Sequence, residues 1–196
     1  MFTSRWQNIE GLRRYDDGIK RLNTEFPKVL PRIVNQVGRR ARTRVVRTLT
    51  KQTGLHRRVI VRAVKNVDTA KPGKLLYSLQ SRGGFVRLKY FSARETRRGV
   101  SAIPFGKRQM FGGTFIMGGL FPYRHVKKWN LDGHVYKSYG SLWRKDGSKG
   151  KAITQVRSEV RIPDEMIRGE TRDAFDREAS LTMPSRVEAA MRKLLT

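Results

Sequence analysis

The stretch LPRIVNQVGRRARTRVVRTLTKQTGLHRRVIVRAV, residues 30–64, decides the fold. Leu30, Ile33, Val34, Val37, Ala41, Val45 and Leu49 fall on one face at a period of 3.6 residues, and Phe26 extends that face upstream. Lys28, Arg32 and Arg39 fall on the opposite face. The spacing predicts a basic amphipathic helix over 26–52, with Thr24 as its N-cap and Pro27 in its first turn. Pro31 lacks a backbone N–H, which predicts a bend there or a start nearer Leu30. Gly54 suits the left-handed residue that ends a helix. Thr53 then caps a second short helix over 55–64, with Val59, Ile60 and Ala63 inward.

Upstream, Trp6, Ile9, Leu12, Tyr15, Ile19 and Leu22 repeat at helical steps over 1–25, weakened by Gly11 and Gly18. Downstream, 65–73 reads as a loop around Lys71-Pro72-Gly73, and the period then changes to two. Leu75, Tyr77 and Leu79 alternate with their neighbours, Gly83-Gly84 turns the chain, and 85–90 alternates again, so both runs are strands. Shorter strands are expected at 100–104, 114–117, 123–129, 134–139 and 141–145, with turns at Asp132-Gly133 and Asp146-Gly147. Residues 153–162 read as a last extended segment, and 131–151 as an inserted hairpin. Pro163, Asp164 and Glu165 suit the opening of a helix and its dipole. Its apolar face is Ile167, Ala174, Phe175 and Leu181, continued after a break near Pro184 by Val187, Met191, Leu194 and Leu195. The expectation is a single α+β domain over 1–196. A mostly antiparallel central sheet is flanked by a long N-terminal basic amphipathic helix and a C-terminal helix. The segments are a basic helical one at 26–64, a strand-rich core at 74–162 and the terminal helix at 163–196.

The 196 residues are 38% hydrophobic, enough for a packed core, yet carry 43 Lys and Arg against 16 Asp and Glu, a net charge of +27. Residues 26–67 hold 12 basic side chains and no acidic one. Residues 159–196 hold 8 acidic and 7 basic, so the whole excess sits upstream of them. Such a surface attracts polyanions or acidic protein faces. Cysteine is absent, which excludes disulfides, thiolate metal sites and cysteine nucleophiles. No run approaches the roughly 18 apolar residues of a membrane span, and the first 15 residues lack a secretory pattern. A protein made in the cytoplasm and not bound to membrane is expected. His56, His125 and His134 are scattered without metal-ligand spacing. Glu95, Asp132 and Asp146 are the only acids between Thr69 and Ser158, too few for a two-metal nuclease. With no Walker loop and no nucleophile elbow, the chain is expected to be no enzyme and to hold no cofactor or metal.

Arg39, Arg40, Arg42, Arg44 and Arg47 place five guanidiniums within nine residues, and Arg57 and Arg58 follow. They suit phosphates along a nucleic-acid backbone, or acids of the C-terminal helix or a neighbouring subunit, and both readings stand. The segment 93–99 carries Arg94, Glu95, Arg97 and Arg98 with no apolar side chain larger than alanine, so it reads as a loop ordered by a partner. Phe85, Tyr90, Phe91, Phe105 and Phe111 interleave with basic residues, a pattern shared by base-stacking platforms and by ordinary sheet packing.

Three stretches resemble the phage minor tail protein Z family, the tail completion proteins of long-tailed phages. They are residues 30–64 quoted above; ARETRRGVSA at 93–102 with Gly113-Thr114-Phe115-Ile116 after a spacer; and Arg161-Ile162-Pro163 leading to a helix that ends in Pro184 and Met191-Arg192-Lys193-Leu194-Leu195. The segment 131–151 departs from the family pattern. The resemblance implies a non-enzymatic virion component at the head-proximal end of the tail. It would work as a homo-oligomeric ring among other tail or neck proteins and make the tail competent to join the head; the basic charge suits contact there with acidic partner subunits or with DNA near the tail channel. A second class, a free-standing nucleic-acid-binding protein such as a ribosome-associated one, would share the charge. Many such proteins carry low-complexity basic tails, which this chain lacks.

Overall fold

In a computed structural model of the chain, residues 9–118, 121, 131–143, 145 and 147–195 are described, 9–15 by their backbone alone. Trp6, the expected strand at 123–129, His125 and Asp146 lie outside the described residues. The fold is α+β. Helix α1 spans Ile9–Thr53 and α2 Arg57–Ala63. Strands follow as β1 Val64–Asp68, β2 Ser78–Ser81, β3 Arg94–Thr96, β4 Gly99–Ala102, β5 Gln109–Gly112, β6 Thr114–Phe115, β7 Tyr136–Trp143 and β8 Lys149–Gln155. Helices α3, Ile162–Met166, and α4, Gly169–Leu195, close the chain.

Helix α1 runs unbroken through Pro27 and Pro31. Thr24 is no cap: its hydroxyl donates back to the carbonyls of Lys20 and Arg21 inside the helix. Each proline forfeits a backbone bond, on the order of 3 kcal/mol in a helix interior. The stripe that continues past them offsets this, because Pro31, Ile33, Val37, Ala41, Val45 and Leu49 are all buried. Gly54 ends α1 at φ +72°, as its position predicts. A Cβ there would also lie 2.6 Å from the backbone nitrogen of Gly106 and the carbonyl oxygen of Ile103, so the site excludes any side chain. Thr53 accepts from the Leu55 N–H and bonds the Leu49 carbonyl, and α2 is entered from His56 with no side-chain cap.

The strands form three small sheets, β1-β2, β3-β4-β5 and β6-β7-β8, the last two antiparallel. Segment 85–90 is no hairpin strand. Val86 bonds the Val160 carbonyl and accepts from the Ser158 N–H, Arg87 bridges Arg157, and Leu88–Tyr90 coil into one 3-10 turn. Segment 141–145 is no separate strand either, since β7 passes through Gly140 with an irregular register between Ser138 and Ser141. Its hairpin with β8 pairs Tyr136 with Gln155 and so runs past the expected limit at 151.

The chain divides into two compact units. One comprises Met1–Arg44, Asn66–Leu79 and Asp173–Thr196. In it α1 and α4 run antiparallel, with Gly18 beside Leu195, Gln36 beside Arg186 and Arg44 beside Glu178. The Asn35 amide clamps Ala70 at both backbone groups, donating to its carbonyl and accepting from its N–H at 2.8 Å each. Gly38 lies under the Tyr77 ring so closely that a Cβ would overlap it. The other unit, Val45–Lys65 and Gln80–Arg172, buries Leu49, Leu55, Ile60, Val64, Leu88, Phe91, Val100, Val135 and Val160. Helix α4 continues through Pro184 without the expected break, and Leu181, Met191 and Leu195 of its supposed apolar face are exposed.

Candidate polyanion-binding surfaces

Helical geometry splits the arginine cluster of the first unit. Arg40 and Arg44 are four residues apart and share a face, whereas Arg42 lies on another side. Arg39, Arg40 and Arg44 are exposed and Arg42 half-buried. The Arg44 Nε stands 3.4 Å from the Glu178 carboxylate, so one cluster member does meet an acid of the C-terminal helix. Arg186 donates to the Gln36 amide oxygen beside it. Burial pushes the Tyr77 hydroxyl pKa up, and the nearby charges of Arg42 and Arg39 oppose that shift.

In the second unit Arg47, Arg57 and Arg58 are exposed. Arg94, Glu95, Arg97 and Arg98 belong to the β3–β4 hairpin, which is ordered by the chain's own bonds and not as a loose loop. Arg94 pairs with Ser101 and Thr96 with Gly99 in register, and the Thr96 hydroxyl donates to the Gly99 carbonyl at 2.8 Å. Gly99 sits at φ +143°, with its Cβ position overlapping the Phe111 carbonyl oxygen, so only glycine closes this turn. Glu95 faces inward and accepts the N–H groups of Ile116 and Met117 at 3.1 and 3.2 Å. Arg94, Arg97 and Arg98 are left exposed.

The structure adds a groove in the second unit that no single run of sequence announces. Arg58 and Arg62, one helical turn apart on α2, face Arg82, Gly83, Gly84, Phe85, Arg87 and Tyr90 across a cavity of about 550 Å³. Its apolar lining is Val59, Ala63, Val86, Ile162 and Pro163, and among the described residues no acidic side chain lines it. Ile60 anchors α2 in the core, while the pairing of Val86 with Ser158 and Val160 holds the opposite wall. Phe85 and Tyr90 are 49% and 37% exposed, and the Arg161 guanidinium lies 5.4 Å from the Phe85 ring centre. Of the other aromatics in the stacking pattern, Phe91 is core, Phe111 is half-buried and Phe105 is exposed.

Behind this wall His134 is buried, and its Nε2 accepts from Lys89 Nζ at 2.8 Å, with Arg87 Nη1 at 3.4 Å. Burial, then the Lys89 and Arg87 charges, hold its pKa below the ordinary histidine value. The ring is therefore neutral and carries its proton on Nδ1, which has no hydrogen-bond partner among the described residues. His56 meets the Ser92 hydroxyl at 3.3 Å on the surface. Among the described residues no group of three His, Asp or Glu is placed to hold a metal ion, and no helix is long and apolar enough to cross a membrane.

Comparison with family models, with curated proteins and with solved structures finds no match to this chain.

Proposed function

We propose that the protein is a non-enzymatic structural component of a phage virion. It would act as a tail-completion or neck protein at the head-proximal end of the tail, assembling as a ring with its own copies and with other tail or neck proteins. The observation that carries the assembly reading is the β7–β8 hairpin. Tyr139, Leu142 and Trp143 are 66%, 62% and 71% exposed on it, and seven of the eight β7 residues face solvent. Large apolar side chains exposed on both faces of one strand, Leu142 on one and Trp143 on the other, lose free energy in water and recover it against a partner. The order of the three family-like stretches supplies the phage context, and the hairpin lies where the chain departs from that family. The basic surface suits acidic neighbours or channel DNA.

The test is addition of labelled protein to tails assembled without it. Label at one end of each tail, with recovery of head joining, is the expected result. Decoration along the whole tail, or none, contradicts the proposal. Nucleic-acid binding with no incorporation into tails and no recovery of head joining would instead favour a free-standing nucleic-acid-binding protein.

A further inference from the structure

We propose that the groove between α2 and the 82–90 segment is a binding site for single-stranded nucleic acid, taking a base against Tyr90 and Phe85 and the flanking phosphates on Arg58, Arg62, Arg82 and Arg87. Three observations converge on that ligand. Arg58, Arg62 and Arg82 line one cavity beside Arg87, whose guanidinium also reaches His134, and among the described residues no carboxylate lines it, so the site is complementary to phosphates. Two partly exposed aromatic rings stand beside the arginines, the arrangement that stacks unpaired bases without regard to sequence. The groove has an apolar lining, and its volume of about 550 Å³ lies in the range of small-ligand sites, large enough for a base beside the phosphate contacts.

Gly83 and Gly84 contribute by what they lack. A Cβ on either would meet nothing within 4 Å, so the backbone at the mouth stays open to a sugar-phosphate chain. A paired duplex fits poorly, because its bases are stacked inside and cannot enter a cavity. An acidic peptide would use the arginines but leave the rings and apolar lining without a planar partner. The site is independent of the hairpin that carries the assembly reading, so either can fail alone.

Binding of a fluorescent oligo-dT to the full chain, followed by anisotropy at several salt concentrations, tests the site. The variant Arg58→Gln/Arg82→Gln should lose about tenfold or more in affinity, and its salt slope should fall by roughly 1.4, near 0.7 for each single-strand phosphate released. Arg97→Gln/Arg98→Gln removes the same charge from the β3–β4 turn, which is not among the residues lining the groove, and should cost less than threefold. Tyr90→Leu keeps the packing, removes the stacking face and should weaken binding about tenfold. Equal losses in the two arginine pairs would overturn the proposal as general electrostatics. So would a duplex or polyglutamate of equal length binding as tightly as oligo-dT, or Tyr90→Leu binding normally.

Discussion

Gly38 sits in the interior of α1 beneath the Tyr77 ring. In an open helix Gly→Ala gains about 1 kcal/mol. Here the added methyl must displace an aromatic ring, which costs about 1–3 kcal/mol in packed surroundings. Net of that gain, Gly38→Ala is predicted to destabilise the protein by up to about 2 kcal/mol, read as a lowered denaturant midpoint, where an open helix would show a midpoint raised by about 1 kcal/mol; a raised midpoint would refute the contact. His134 gives a pH signature. The folded chain holds its ring neutral, because burial and Lys89 and Arg87 disfavour the imidazolium. The unfolded chain binds a proton as pH falls through the ordinary histidine value near 6.5. Below that pH the unfolded state carries the extra proton, so the contribution is complete above about 6.5 and shrinks as pH drops toward 5. Denaturant midpoints at pH 7.5 and 5.5 should differ less for His134→Gln than for the parent, and equal differences would reject the assignment. The sequence shows that Gly38 and His134 are there but not what they face, because Tyr77 and Lys89 reach them only through tertiary packing.

Element by element, legibility follows how local the determining physics is. The α1 stripe and the Gly54 terminus were readable because both depend on neighbours within a few residues. Val37 is 1% exposed, so Val37→Asp should cost on the order of 4 kcal/mol, and a normal melting temperature for that variant would contradict the core. Thr24 and Pro27 resemble a helix start, yet the helix runs through both from Ile9, and the buried stripe lies downstream of them. The break expected at Pro184 is absent too: α4 continues as one helix to Leu195. The strands were harder. β3 is a charged run whose order comes from its register with β4, from Gly99 and from the inward turn of Glu95. Reversing charge with Arg97→Glu/Arg98→Glu should leave the melting temperature within a few degrees of the parent, because both side chains are exposed at the turn. A large drop would mean that the turn arginines hold the hairpin together.

For the whole molecule, charge is the property most plainly written in the sequence, and its spatial sorting is the least. The arginines of residues 39–47 appear as one cluster in the sequence, yet the helix distributes them over different faces and Arg44 already pairs with Glu178. The groove gathers Arg58, Arg62, Arg82 and Arg87 from two separate segments, so no spacing rule finds it, although Gly83-Gly84-Phe85 beside Arg82 marks one wall. A hairpin was legible within 131–151, but the exposure of Tyr139, Leu142 and Trp143 appears only once the strand is placed. That hairpin is where the assembly account is most open to test. Sedimentation velocity of the nuclease-treated protein across a concentration range should resolve a discrete oligomer that Leu142→Asp/Trp143→Asp converts to a folded monomer. A parent protein that stays monomeric at every concentration, or a variant that assembles as the parent does, would contradict it.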